Sequence, residues 1–175
     1  MLIPTSESVK GQVLLLVNPL KFGFPQEVSD RYHLKSVSLQ GTLVQDELNS
    51  MIEVVPDSVT VLGNGEGGVF SEGRSVMLKG EIVDSKCHIG VMNPGRYKTH
   101  RACAIQCIAG GIPPLMVIES VTGERQQYLV VGEGGEALNE EVLDFVAEPV
   151  RLGGITKRIG SLRVLFADLK TLSRL

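Results

Sequence analysis

Three times the sequence writes Val-x-Leu-x-Gly: Val37-Ser-Leu39-Gln-Gly41, Val76-Met-Leu78-Lys-Gly80 and Val150-Arg-Leu152-Gly-Gly154. Alternation with a period of two puts Val and Leu on one face of an extended strand, and a slip of one residue would turn both to solvent. A glycine ending such a run marks a bulge or sharp bend, the device by which small barrels turn their corners. The pattern predicts three strands, each with its Val and Leu buried on one face and its Gly at a bend. A helical bundle is excluded, in keeping with the 20 glycines among 175 residues.

Further strand-like runs occupy residues 50–55, 58–62, 115–119, 127–131 and 162–167. Two stretches read as helices, residues 99–109 and 139–146. In the second, Asn139 is the expected N-cap, with Glu140 and Glu141 complementing the helix dipole. Phe22 to His33 reads as a loop or short helix. The stretch Gly63-Asn-Gly-Glu-Gly-Gly68 is a loop by composition and divides the chain. Residues 1–68 form a β-rich N-terminal region. Residues 69–175 run strand (76–83), insertion with a short helix (84–114), strand, strand, helix (139–146), strand (148–156), strand (162–167). Five strands with a helix between the third and fourth is the element order of an OB-fold barrel. The expected fold is therefore mainly β, an OB-fold-like five-stranded barrel with a short helical insertion. The insertion has no alternation, so it is expected outside the barrel wall, closing one end through Ile105 and Ile108.

An OB-like barrel invites a nucleic-acid role, but the composition opposes it. The net charge is −3, aromatic residues make up 5% of the chain and there is no Trp, so neither a basic surface nor a stacking platform is available. The longest apolar run, residues 13–17, is far short of the ~20 residues a membrane-spanning helix needs. No signal peptide is read at the start of the sequence. Charge is unevenly spread: between Asp84 and Glu119 there is no acidic residue, while Lys86, Arg96, Lys98 and Arg101 fall there. Such an island is either a solvated face or a docking site for an acidic or membrane-associated protein partner.

All three cysteines, Cys87, Cys103 and Cys107, and two of the three histidines, His88 and His100, lie in the same insertion. If residues 99–109 are helical, His100, Cys103 and Cys107 share one face. Gly110-Gly111 stops that helix and Pro113-Pro114 prevents its resumption. Cys87 is read at the end of the first barrel strand, and an Asn93-Pro-Gly95 turn can fold the chain back so that Cys87 faces the helix. Three cysteines and a histidine suit Zn²⁺ and, through their thiolates, Cu⁺. Met92 and His88 are further candidate ligands, and Asp84 is the natural partner of a ligating histidine from outside the ligand set; the alternatives are that Met92 fills a core gap and that Asp84 caps a turn. A helix N-terminus and the basic island are expected to lower the thiol pKa values. His33 reads as an ordinary, partly buried histidine. Two alternatives stay open at the same residues. One is a disulfide from Cys87 to Cys103 or Cys107, stapling an interaction module. The other is a thiol-redox or cysteine-nucleophile enzyme with His100 or His88 as base.

The string Gly80-Glu-Ile-Val-Asp84-Ser-Lys-Cys87, then Gly90-Val-Met-Asn-Pro-Gly95, His100-Arg-Ala-Cys103-Ala-Ile-Gln-Cys107 and Gly110-Gly-Ile-Pro-Pro114 resembles an uncharacterised bacterial family whose members are usually membrane-anchored or exported. The resemblance covers about residues 76–118. It implies a periplasmic or otherwise extracytoplasmic home and supplies no activity. The expectation from the sequence is thus an extracytoplasmic protein that binds zinc or copper through Cys87, His100, Cys103 and Cys107.

Overall fold

The computed structural model of the chain describes residues 12–175, so residues 1–11 of the expected N-terminal region lie outside the described residues. The second half closes into a five-stranded barrel of β6 (Arg74–Asp84), β7 (Pro114–Glu119), β8 (Arg125–Gly132), β9 (Pro149–Ile159) and β10 (Leu162–Arg174). Around the wall the order is β6-β7-β8-β10-β9 and back to β6, with β8 and β10 parallel and the other neighbours antiparallel. This is the OB-fold-like barrel expected from the element order.

Two of the three Val-x-Leu-x-Gly segments explain how the wall closes. They lie face to face in antiparallel register, Val76 opposite Gly154, Leu78 opposite Leu152 and Gly80 opposite Val150. Strand β6 changes partner at the end of its repeat, pairing with β9 up to Glu81 and with β7 from Glu81 onward. Gly80 sits at that bend, where a Cβ would lie 2.2 Å from the Val117 carbonyl oxygen of β7. Leu152 and Val150 are buried, whereas Val76 and Leu78 are half-buried against the same apolar cluster. The first repeat departs from expectation. It straddles two strands, Val37 in β2 (Lys35–Ser38) and Gly41 opening β3 (Gly41–Gln45), with Val37 and Leu39 half-buried. The strand is interrupted at Leu39 and Gln40, residues that continue as strand in the other two copies.

The N-terminal half supplies a three-stranded sheet in the order β1 (Leu14–Val17), β4 (Ser50–Val54), β3, and a two-stranded sheet of β2 with β5 (Thr60–Asn64). A short helix α1 (Gln26–Arg31) falls in the stretch expected as loop or helix. Strand alternation divides the core in two. Ile82, Met116, Val130, Leu152 and Leu165 fill the barrel interior. Val83, Leu115, Val117 and Val164 face outward and are covered by Val13, Leu15, Val17 and Met51 of the N-terminal sheet. Burying an aliphatic side chain of this size contributes about 1.5–3 kcal/mol, so both layers matter.

The helix read at 99–109 is present as a 3₁₀ turn, Lys98–His100, leading into α2 (Arg101–Ala109). It closes one end of the barrel, with Ile108 and Ala104 buried in the interior cluster and Ile105 packed against it. The helix read at 139–146 is absent. A single 3₁₀ turn, Leu143–Phe145, takes its place. Eight residues are too few to nucleate a helix readily alone. The expected N-cap is used elsewhere: Asn139 Nδ2 donates to the carbonyl oxygens of Ile108 at 2.7 Å and Ile112 at 2.9 Å, satisfying acceptors at the C-terminal end of α2.

Candidate metal centre

Strand β6 ends at Asp84, and the chain at once enters a wide helical turn, Cys87–Val91, in which Met92 N–H donates to the Cys87 carbonyl at 3.0 Å. Cys87 therefore opens this turn rather than ending the strand. The fully buried Asp84 carboxylate holds it there, Oδ1 accepting from Cys87 N–H at 2.8 Å. The Asn93-Pro-Gly95 turn folds the chain back as expected. Gly95 lies so close that a Cβ would stand 2.5 Å from the Cys87 carbonyl oxygen, which leaves room for no other residue type. The chain then runs through buried His100 into α2, which carries Cys103 in its first turn and buried Cys107 in its second.

These elements bring three of the four expected residues into one group. One ligand atom each from Cys87, His100 and Cys103 lie within 4.8 Å of one another, positioned to hold a metal ion. A carboxylate oxygen of Asp84 and the sulfurs of Cys87 and Cys107 form a second group of the same size. Cys87 is common to both. Asp84 also contacts the His100 ring, with Oδ2 3.0 Å from Nε2. The structure thus gives Asp84 two places, as the partner of His100 and as an oxygen donor beside two sulfurs. The three cysteines are free thiols, with Cys103 the half-exposed one.

Two sequence candidates stand apart. His88 belongs to neither group and faces Gln127, Nε2 to Nε2 at 3.3 Å. Gln127 is held in turn by Asp46 at 2.7 Å and Asn49 at 2.5 Å. Burial lowers the His88 pKa against the pull of Asp46. Met92 is exposed beyond the turn, and His33, expected to be partly buried, is exposed as well.

The electrostatics reverse one expectation. The basic residues of the insertion do not lower the thiol pKa values. Burial, followed by the neighbouring Asp84 carboxylate, pushes the Cys87 thiol far up, and the same causes with Cys103 push Cys107 up to about 11. The positive island is largely neutralised by glutamates from outside the insertion. Lys86 pairs with Glu53, Arg96 with Glu119 at 2.8 Å, and Arg101 with Glu148.

Sequence reasoning missed Lys21, and counted Lys86 only as part of the positive island. Buried Lys86 also donates to the carbonyls of Asn18 at 3.0 Å and Leu20 at 2.8 Å, pinning the 18–23 turn over the site. Lys21 then places Nζ 3.4 Å from Cys103 Sγ and 2.6 Å from Gln106 Oε1. Burial by itself lowers the Lys21 pKa, but the hydrogen bond to Cys103 and the nearby Cys103, Cys107 and Cys87 sulfurs together outweigh it and the net shift is upward. The available signal was the Gly110-Gly111 pair. A Cβ on Gly110 would stand 2.0 Å from the Lys21 carbonyl oxygen, and one on Gly23 would stand 1.9 Å from the Gly111 carbonyl oxygen. The double glycine is therefore a seat for a distant segment as well as a helix stop.

The fold and site together define a β-barrel protein with a Cys/His cluster positioned to hold a metal. No family model, curated protein or solved structure matches the chain.

Proposed function

We propose that the protein binds Zn²⁺ or Cu⁺ through Cys87, His100, Cys103 and Cys107, and that its work is metal handling or the metal-dependent shaping of an interaction surface. The observation that carries this reading is the convergence of Cys87, His100 and Cys103, from separate turns of the insertion, to within 4.8 Å. Thiolates and imidazole are the ligands that select these ions. A buried polar cluster of this kind is costly unless its members are satisfied, and an ion would satisfy several at once. Half-exposed Cys103 gives such an ion a ligand within reach of solvent. An extracytoplasmic setting belongs to the reading through the resemblance of residues 76–118.

A second reading, a cysteine-nucleophile enzyme, is favoured by one observation: the Asp84–His100 pair stands beside Cys87, an order of carboxylate, imidazole and thiol that activates nucleophiles. Burial and the Asp84 charge hold the Cys87 thiol protonated, which weighs against it.

Elemental analysis of protein purified without added metal, combined with thiol counts before and after denaturation, tests the proposal. The expected result is about one zinc or copper ion per chain, with thiols that react fully after denaturation. A metal-free protein with two fewer thiols supports the disulfide instead. A metal-free protein with one rapidly alkylated thiol supports the enzyme.

A further inference from the structure

The barrel end opposite α2 carries a second site with no connection to the cysteines. The interior rows of the strands are apolar until they reach this mouth, where the chemistry changes. Arg74 precedes Val76 and Leu78 on β6, Arg163 precedes Leu165 and Ala167 on β10, and Tyr128 precedes Val130 on β8. Side chains two apart on a strand share a face, so these residues continue the interior rows. Arg158 on β9 is the direct cross-strand partner of Arg163, and Arg74 is the partner of Thr156, two residues from Arg158. Three arginines on three neighbouring strands therefore line one cavity of about 320 Å³, with Ser71, Thr156 and Tyr128 supplying hydroxyls.

Like charges directly opposite each other on adjacent strands are destabilising. Elsewhere in the molecule Arg96 pairs with Glu119, and Arg101 and Arg174 pair with Glu148. Among the described residues, none of Arg74, Arg158 and Arg163 takes part in an ion pair, although the cavity wall includes Glu72. In a chain of net charge −3 this concentration is local and sits in a concave place. Guanidinium groups present planar forks of donors that match tetrahedral oxyanions, and an anion between two of them turns repulsion into attraction. The volume lies at the small end of the ~300–1,000 Å³ range of ligand sites.

We propose that this mouth is a binding site for a phosphate group, either inorganic phosphate or the phosphoryl end of a small phosphomonoester. Arg158 and Arg163 clamp the oxyanion, and Arg74 adds a third donor. The site is independent of metal at the cysteine cluster.

The test is titration of the full chain, followed by calorimetry and by thermal melting, with inorganic phosphate, ethyl phosphate and, as a control, chloride at matched ionic strength. Phosphate is expected to bind and to raise the melting temperature where chloride does not. Arg163→Gln and Arg158→Gln should each weaken binding about tenfold or more, the loss of a charge-assisted hydrogen bond. In phosphate-free buffer they should melt no lower than the parent, since each removes a like-charge pair. Lys170→Gln, on the exposed surface of β10, should bind as the parent does. Binding of both phosphates identifies a phosphomonoester site, and binding of inorganic phosphate alone identifies a site for the free ion. Equal shifts with phosphate and chloride, or parental affinity in both arginine variants, would overturn the proposal.

Discussion

Asp84 Oδ2 lies 3.0 Å from His100 Nε2, with both residues buried at the junction of the barrel and its insertion. The pair ties the last residue of a barrel strand to the turn that begins α2, and the other carboxylate oxygen fixes the backbone of Cys87. One side chain thus positions two of the proposed ligands, His100 and Cys87, while its charge helps hold the Cys87 and Cys107 thiols protonated. Metal affinity and thiol reactivity should therefore respond to it in opposite senses.

Replacing Asp84 by Asn keeps the shape and removes the charge. Loss of such a supporting carboxylate lowers metal affinity by roughly 10–100-fold. In the metal-free protein the same change should lower the thiol pKa of Cys87 and Cys107, because the Asp84 carboxylate raises both. Chelator competition reads the first effect and alkylation rate at fixed pH reads the second. Slower alkylation in Asp84→Asn would contradict the electrostatic account.

The pH dependence of metal binding follows from the same shifts. Cys107 titrates at about 11 and Cys87 higher still, so both are protonated near neutrality and must release protons to ligate. Below those pKa values, each thiol that ionises on binding makes the apparent affinity rise about tenfold per pH unit. Affinity measured between pH 6 and 8 should climb steeply, with proton release detectable in weakly buffered solution. A flat profile would mean that thiolates are not the ligands.

Gly95→Ala places a methyl group where the Cys87 carbonyl oxygen stands, at 2.5 Å, and the backbone of Cys87 must move. Ligand geometry tolerates little displacement, so metal affinity should fall at least ~10-fold. Gly63→Ala, in open space on β5, should leave it unchanged. Parallel metal titrations of the two variants compare them directly.

The facing repeats give a stability prediction. Leu152 is fully buried and its cross-strand partner Leu78 is half-buried. Leu152→Ala should cost about 2–5 kcal/mol in urea unfolding, and Leu78→Ala should cost less. Because the two side chains are direct neighbours, the double variant should depart from additivity. Lys98→Ala should leave stability nearly unchanged. Arg101→Ala breaks an ion pair with Glu148 and should cost up to about 1 kcal/mol.

What could be read in the sequence was whatever local spacing determines. Alternation around Leu78 and Leu152 gave two strands and their buried face, and the three- and four-residue steps from His100 to Cys103 to Cys107 gave one helix face. The first repeat shared that alternation, yet nothing local distinguished the break in the strand at Leu39 and Gln40. Residues 139–146 carried helix-start chemistry, but Asn139 is used by α2, a tertiary demand that its neighbours do not announce. Lys21 and Glu53 reach the insertion from the N-terminal half, and Lys86 reaches back to the 18–23 turn, so these contacts have no periodic signature. The Asp84 charge had a visible position but not a visible burial, and burial is what sets the thiol pKa values.

The central claim is that a metal sits among these particular sulfurs, and X-ray absorption at the metal edge of the loaded protein tests it most directly. The account predicts two or three sulfur neighbours at about 2.3 Å and a nitrogen or oxygen neighbour near 2.0 Å for zinc. Cys103→Ser should remove one sulfur from that shell. A first shell of nitrogen and oxygen alone, or one unaltered in Cys87→Ser and Cys103→Ser, would contradict it.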